Sequence, residues 1–223
     1  MGLLGVMFAS FVNALVWRLH EQTRSKTSSP EKLSIVNGRS MCPNCRHALG
    51  VWDLWPILSW LFLKGRCRYC KASISYQYPL VELTGLILFV LSYIFWPHVL
   101  NNLGSYFVFG TWLAIVITAL ALSLYDLKWM LLPNQLMYPF AVLGILFVLF
   151  GIYSNSVPNL ASSVLGSIGY GGLFYILYQV SSGKWIGGGD VRLGFILGAI
   201  LGWQKSILGL TLAAYLSTVV IGI

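Results

Sequence analysis

Charge is what this sequence has least of. Of its 223 residues only 9% are Asp, Glu, Lys or Arg, where a water-soluble domain carries about 25%. Acids are the scarcer sign, six in the whole chain: Glu21, Glu31, Asp53, Glu82, Asp126 and Asp190. Such a chain cannot cover a water-facing surface with charge, which argues against an ordinary soluble enzyme. The shortage also makes every acid after residue 78 conspicuous. A carboxylate inside a membrane bundle costs several kcal/mol and is a functional candidate by default. Cysteine is equally sparse, four residues, and all four fall in one loop.

What fills the space is apolar, 57% of the residues. Runs long enough to cross a bilayer need about 20 residues. The pattern predicts them near 3–17, 80–97, 104–125, 136–153, 159–180, 191–203 and 206–223, the first and sixth being short. The expected fold class is therefore an all-α polytopic membrane protein, a bundle of about seven transmembrane helices. Three regions follow: residues 1–17 as the first span, 18–78 as a polar loop, and 79–223 as the remaining bundle. The first span lacks a preceding basic region, and "SFVNALVWRLH" offers no convincing small-residue cleavage site, so it reads as a retained span and not a signal peptide.

The formal net charge is +8, a value that would suggest nucleic acid in a soluble protein. Its distribution points to topology instead, and no nucleic-acid partner is expected. Ten of the 14 Lys and Arg lie between Arg18 and Lys71. Positive residues stay cytoplasmic, so the 18–78 loop is expected to face the cytosol. Counting alternate spans puts Lys128, Lys184 and Arg192 on the same side, with Lys205 the exception. Within the loop, "EQTRSKTSSPEKLSIVNGRS" reads as a flexible linker. The stretch "VWDLWPILSWLFLKG" is apolar but short and broken by Pro56. Its tryptophans suit a segment lying at the headgroup level, or equally one packed on the loop's own small core.

The cysteines form "CPNC" (Cys42, Cys45) and "CRYC" (Cys67, Cys70). Two C-x2-C pairs can each supply half of a tetrahedral Zn²⁺ shell, and the basic neighbours Arg46, Arg66, Arg68 and Lys71 favour the thiolate. Redox dithiols and unliganded thiols are the alternatives. His47 reads as a solvated loop residue. Four thiolates leave no open position for a water, so a metal here would be structural.

Three acids remain past residue 78. Glu82, in "YPLVELTG", reads as a first-turn acid complementing a helix macrodipole, with a place near the active site as the other reading. Asp126, in "SLYDLKWMLLPNQL", falls at the end of one span. Asp190, in "WIGGGDVRLG", falls at the start of another, and topology puts both at one membrane depth. Two close carboxylates share a proton. The charged one can then activate water while the protonated one polarises a carbonyl. Gly187, Gly188 and Gly189 would let a substrate backbone approach, or allow torsions that side chains forbid. The plainer alternative is two interfacial aspartates balancing Lys128 and Arg192.

These motifs together resemble the bacterial type IV prepilin peptidases, membrane aspartic proteases of the GxGD kind. The resemblance runs through "GLLGVMFASFVNALVWRL", the two cysteine pairs with "PILSWLFLKGRCRYC", "YPLVELTG", "YDLKWMLLPN" and "GGGDVRLGFILGAILGW". It implies a multi-pass protein of the bacterial inner (cytoplasmic) membrane, with the active site and zinc loop facing the cytosol. The implied reaction is removal of a short basic leader from prepilins or pseudopilins, whose hydrophobic N-terminal helix lies in the bilayer. Asp126 and Asp190 match the catalytic pair, and Gly187 and Gly189 match the GxGD glycines. Many members also N-methylate the new N-terminus with S-adenosylmethionine. Arg192 stands where the family often has lysine. The chain ends in "STVVIGI", where members usually continue with a further segment, which suggests a truncated or short member. Presenilin-type GxGD proteases carry a Pro-Ala-Leu tripeptide that does not occur here. A transporter would place its acids nearer the midplane, often in broken helices.

Overall fold

A computed structural model describes residues 1–24, 38–153 and 159–221. The linker predicted from the Ser-rich stretch, including Glu31, lies mostly outside these residues. The described chain is helical: α1 (Gly2–Arg24), a 3-10 turn (Val51–Leu54), the short α2 (Leu58–Phe62), α3 (Gln77–Ile94), α4 (Leu103–Trp129), α5 (Asn134–Tyr153), α6 (Leu160–Val180) and α7 (Gly188–Ile221). Among the described residues six helices are long and apolar enough to cross a membrane. The two stretches expected at 191–203 and 206–223 form one element, α7. It is interrupted at Gly202, whose φ of 72° and ψ of 170° are not helical.

The chain divides into two compact units, Met1–Trp96 and Pro97–Ile223. In the first, α1 packs on α3. Gly5 and Gly85 face each other so closely that a Cβ on either would strike the other's backbone. Small residues at such a crossing let membrane helices gain dispersion contact without a hydrophobic driving force. Farther along α1, buried polar side chains tie it to α3 and to the loop. The Asn13 amide donates to the Tyr78 carbonyl (3.2 Å), and Arg18 donates to the Gly38 carbonyl (2.9 Å).

In the second unit α4 packs on α5, α5 on α7, and α6 along α7. Gly166 of α6 and Gly198 of α7 repeat the close glycine crossing, and Gly166 also abuts the backbone at Gly202. Ser206 Oγ donates to the Gly202 carbonyl one turn earlier (2.7 Å), a local side-chain-to-backbone bond at the break. Asn102 caps α4 by accepting from the Ser105 amide (2.8 Å), and Asn159 caps α6 through Ser162 (2.9 Å). Both are standard side-chain acceptors for otherwise orphaned N–H groups.

Candidate metal cluster and candidate active site

In the first unit the two cysteine pairs fold into near-identical knuckles. In one, the Cys42 amide donates to the His47 carbonyl (3.0 Å) and the Arg46 amide to the Cys42 carbonyl (2.9 Å). In the other, Cys67 donates to Ala72 (2.8 Å) and Lys71 to Cys67 (3.0 Å). Arg46 and Lys71 hold equivalent left-handed positions, φ 55° and 60°, and an antiparallel bridge closes each knuckle, Met41 with Ala48 and Arg66 with Ser73. No sequence repeat of fixed period announces this duplication, because only the cysteines and the following basic residue are shared.

The four Sγ atoms lie within 4.8 Å of one another, and Cys42 and Cys70 are 3.9 Å apart. A tetrahedral ion with Zn–S bonds of about 2.3 Å sets its sulfurs about 3.8 Å apart, so the cluster fits a metal such as zinc. Cys42 and Cys67 are buried, Cys70 half-buried and Cys45 exposed. The Ala72 amide, then the Asn44 side chain at 3.7 Å, lower the Cys70 thiol to about 6. For Cys45 the His47 amide pulls downward, but desolvation and the thiols of Cys42 and Cys70 outweigh it and raise the group to about 11. His47 is not in the cluster; its ring packs on Tyr69 with centroids 3.7 Å apart. Desolvation and the charge of Asp53 raise the Tyr69 phenol.

Glu82 does not complement a helix terminus as the sequence suggests. It sits in the second turn of α3, which has no acid in its first, and it is buried. Its Oε2 accepts from the Ile57 amide at 2.6 Å, and it also bonds Ser10. Ile57 is held at φ 61°, ψ −51°, with the Leu58 amide reaching the Pro56 carbonyl (2.5 Å). That is a γ-turn of the strained kind, rare for a β-branched residue. A conformation costing about 1–3 kcal/mol persists only where its surroundings over-determine it, and the Glu82 carboxylate is such a constraint.

In the second unit Asp126 and Asp190 come to the same end. Asp126 is exposed near the C-terminus of α4. Its carbonyl accepts from Met130 (2.7 Å), the left-handed cap at φ 53°, an arrangement that ends helices and turns the chain sharply. The following segment meets α7: a Cβ on Gly189 would lie 3.1 Å from Leu132, and the Arg192 guanidinium donates to the Asn134 side chain (2.9 Å). Asp190 occupies the third position of α7. Its Oδ2 accepts from the Gly187 amide (3.1 Å), the acid half of a capping box, which satisfies one N–H that the helix cannot. The Asp126 and Asp190 carboxylates interact electrostatically.

The glycines before Asp190 have separate reasons. None takes the positive φ that one of the two expected explanations requires; in this region that belongs to Gly183, at φ 76°. Gly187 leaves room for the Asp190 carboxylate, 3.2 Å from where a Cβ on Gly187 would stand. Gly189 does the same for Leu132, while Gly188 has only Tyr178 at 4.0 Å. Pro133-Asn134 marks a turn in the sequence, but no sequence signal shows that Leu132 and Asn134 meet the start of α7.

Among the described residues, six apolar helices and a four-thiol cluster that could hold a metal ion define a multi-pass membrane protein. Residues 3–96 match the bacterial peptidase A24 N-terminal domain, and residues 113–223 match the type IV leader peptidase family. The chain is 38% identical over 224 residues to a prepilin leader peptidase/N-methyltransferase of Aeromonas salmonicida (strain A449), covering 91% of this chain and 72% of that one. It is 32% identical over 231 residues to the protein of that name in Stutzerimonas stutzeri, covering 97% and 76%. No solved structure matches the chain significantly. The chain belongs to the type IV leader peptidase family, and is thus a membrane peptidase by kinship. The two matched regions fall one in each structural unit, the cysteines in the first and both aspartates in the second.

Proposed function

We propose that this protein is an aspartic endopeptidase of the bacterial inner membrane. It removes the leader from type IV prepilins or pseudopilins at the cytosolic face, and N-methylates the new N-terminus. The observation that carries the reading is the approach of Asp126 and Asp190 at one end of the second unit, where their charges interact. With one carboxylate ionised and its partner protonated, the ionised member takes a proton from water as that water attacks the scissile carbonyl. The protonated member stabilises the developing oxyanion and then donates to the departing amine. No covalent enzyme intermediate forms, and both protons are accounted for by the dyad.

Arg192 and Asn134 act as a brace that keeps the start of α7 against the α4–α5 turn, and Gly189 admits Leu132 to that contact. Gly188, with only Tyr178 at 4.0 Å, is the least crowded of the three glycines and the place where a substrate backbone can approach. The thiolates of Cys42, Cys45, Cys67 and Cys70 hold a structural Zn²⁺, whose chemistry is to cross-link the two knuckles. S-adenosylmethionine is the expected methyl donor; no side-chain cluster among the described residues identifies where it sits. Acids at a helix end suit a water-fed hydrolase better than an ion carrier, whose sites lie near the midplane.

The test uses purified protein in detergent, a synthetic prepilin N-terminal segment and S-adenosylmethionine, with products weighed by mass spectrometry. Loss of the leader is the expected result, and one added methyl group on the mature product establishes the second activity. An intact segment after prolonged incubation with folded protein contradicts the reading.

A further inference from the structure

The first unit exposes an apolar surface that none of its own helices covers. Trp52 is 72% and Phe62 80% exposed, and Leu54, Trp55, Leu58 and Leu61 are exposed with them. A hollow of about 340 Å³ runs between Trp52, Trp55, Ser59, Phe62, Leu63 and Arg68. Beside it, sharing Leu63, lies a second hollow of about 440 Å³ lined by Lys64, Arg66 and Lys71. An apolar hollow next to a cationic one, the two meeting at Leu63, matches an amphiphile with an anionic head.

The height of this surface follows from Glu82. At 18 residues, α3 is about 27 Å long, against a hydrocarbon core of about 30 Å. Crossing the core therefore uses the whole helix. Glu82 lies five residues past its first residue, about 8 Å along the axis. The Ile57 amide bonded to it is thereby fixed about 8 Å inside the hydrocarbon edge, at the depth of the upper acyl carbons. Residues on either side of Ile57, the exposed tryptophans among them, are held between that depth and the headgroups, near the interface that Trp favours.

We propose that residues 51–71 form a half-embedded platform that binds anionic phospholipid. Trp52, Trp55 and Phe62 lie among the upper acyl carbons, and Lys64, Arg66 and Lys71 hold the phosphate heads. Glu82 is the positioning residue that sets the platform's depth. The charge pattern favours this occupant over an apolar protein segment, which would leave three cations unanswered. Anionic lipid surfaces attract each nearby Lys or Arg.

The full chain in lipid nanodiscs tests it by tryptophan quenching, with bromines carried high on the acyl chains. Discs of phosphatidylcholine are compared with discs of equal phosphatidylethanolamine and phosphatidylglycerol. Quenching is expected to be stronger in the anionic discs, to fall in Trp52→Phe/Trp55→Phe, and to lose its lipid preference in Lys64→Gln/Arg66→Gln/Lys71→Gln. Glu82→Ala should shift the quenching to shallower bromines. Unchanged helix content and bound zinc verify folding. The proposal is overturned if the Trp double variant loses no quenching, or if the charge variant keeps the lipid preference. It is equally overturned if inorganic phosphate erases that preference, which marks a free-anion site. Quenching that appears only on adding the prepilin segment marks a protein partner instead.

Discussion

Cys42 and Cys45 reach their places through one short turn, and Cys67 and Cys70 through a second copy of it. Asp126 and Asp190 are carried on different helices, α4 and α7, which both pack on α5. The cysteine cluster is thus a product of local hydrogen bonding, repeated and then joined. The aspartate pair depends on long helices meeting at the correct register, on a left-handed turn at Met130 and on a brace from Arg192 to Asn134. A metal compensates for small errors in a local turn, because ligand bonds are strong. Two carboxylates have no such glue, and their supporting contacts matter more.

If that contrast is sound, variants in the two regions should fail differently. The largest effect is expected at the dyad. Asp126→Asn or Asp190→Asn should each lower leader cleavage by about 10²–10⁴-fold, the worth of a positioned acid or base. Metal content, measured by mass spectrometry of the purified protein, should not change. Cys67→Ser should do the reverse: zinc falls from roughly one per chain towards none and thermal stability drops, with activity lost only through the fold. Undiminished zinc in that variant would dismiss the four-thiolate shell.

Smaller effects separate the glycines. Gly189→Ala presses a methyl on Leu132, and overpacking of this kind costs about 1–3 kcal/mol, so cleavage should fall about tenfold or more. Gly188→Ala makes only an ordinary contact with Tyr178 at 4.0 Å and should leave stability unchanged; if cleavage nonetheless falls through a raised KM, the substrate backbone passes there. Arg192→Ala removes one hydrogen bond to a charged donor, worth about 1.5–3 kcal/mol when buried and less at this exposed site. A severalfold loss, recovered in Arg192→Lys, is expected from paired kinetic assays.

Part of this is readable in sequence because the physics is short-ranged. C-x2-C spacing fixes a knuckle within a few residues, and apolar runs of span length announce their helices. Lys and Arg place Asp126 and Asp190 on one side, and the structure brings both to one end of its second unit. The α1–α3 crossing through Gly5 and Gly85 is not readable, since it depends on which helices become neighbours. The place of Glu82 is hidden for the same reason. Its partner is a backbone amide held in a strained γ-turn, and nothing about an isoleucine after a proline signals that geometry. The capping role of Asp190 is legible as an acid three residues after Gly187, although the same spacing serves a proteolytic pair equally well.

In this protein the acids are proposed to perform the chemistry and the cysteines only to shape the fold. This division is tested most directly by following prepilin cleavage and bound zinc on the same preparations of wild type, Asp126→Asn and Asp190→Asn. The account predicts full zinc in all three and cleavage in wild type alone. Cleavage at the wild-type rate by either aspartate variant would contradict it.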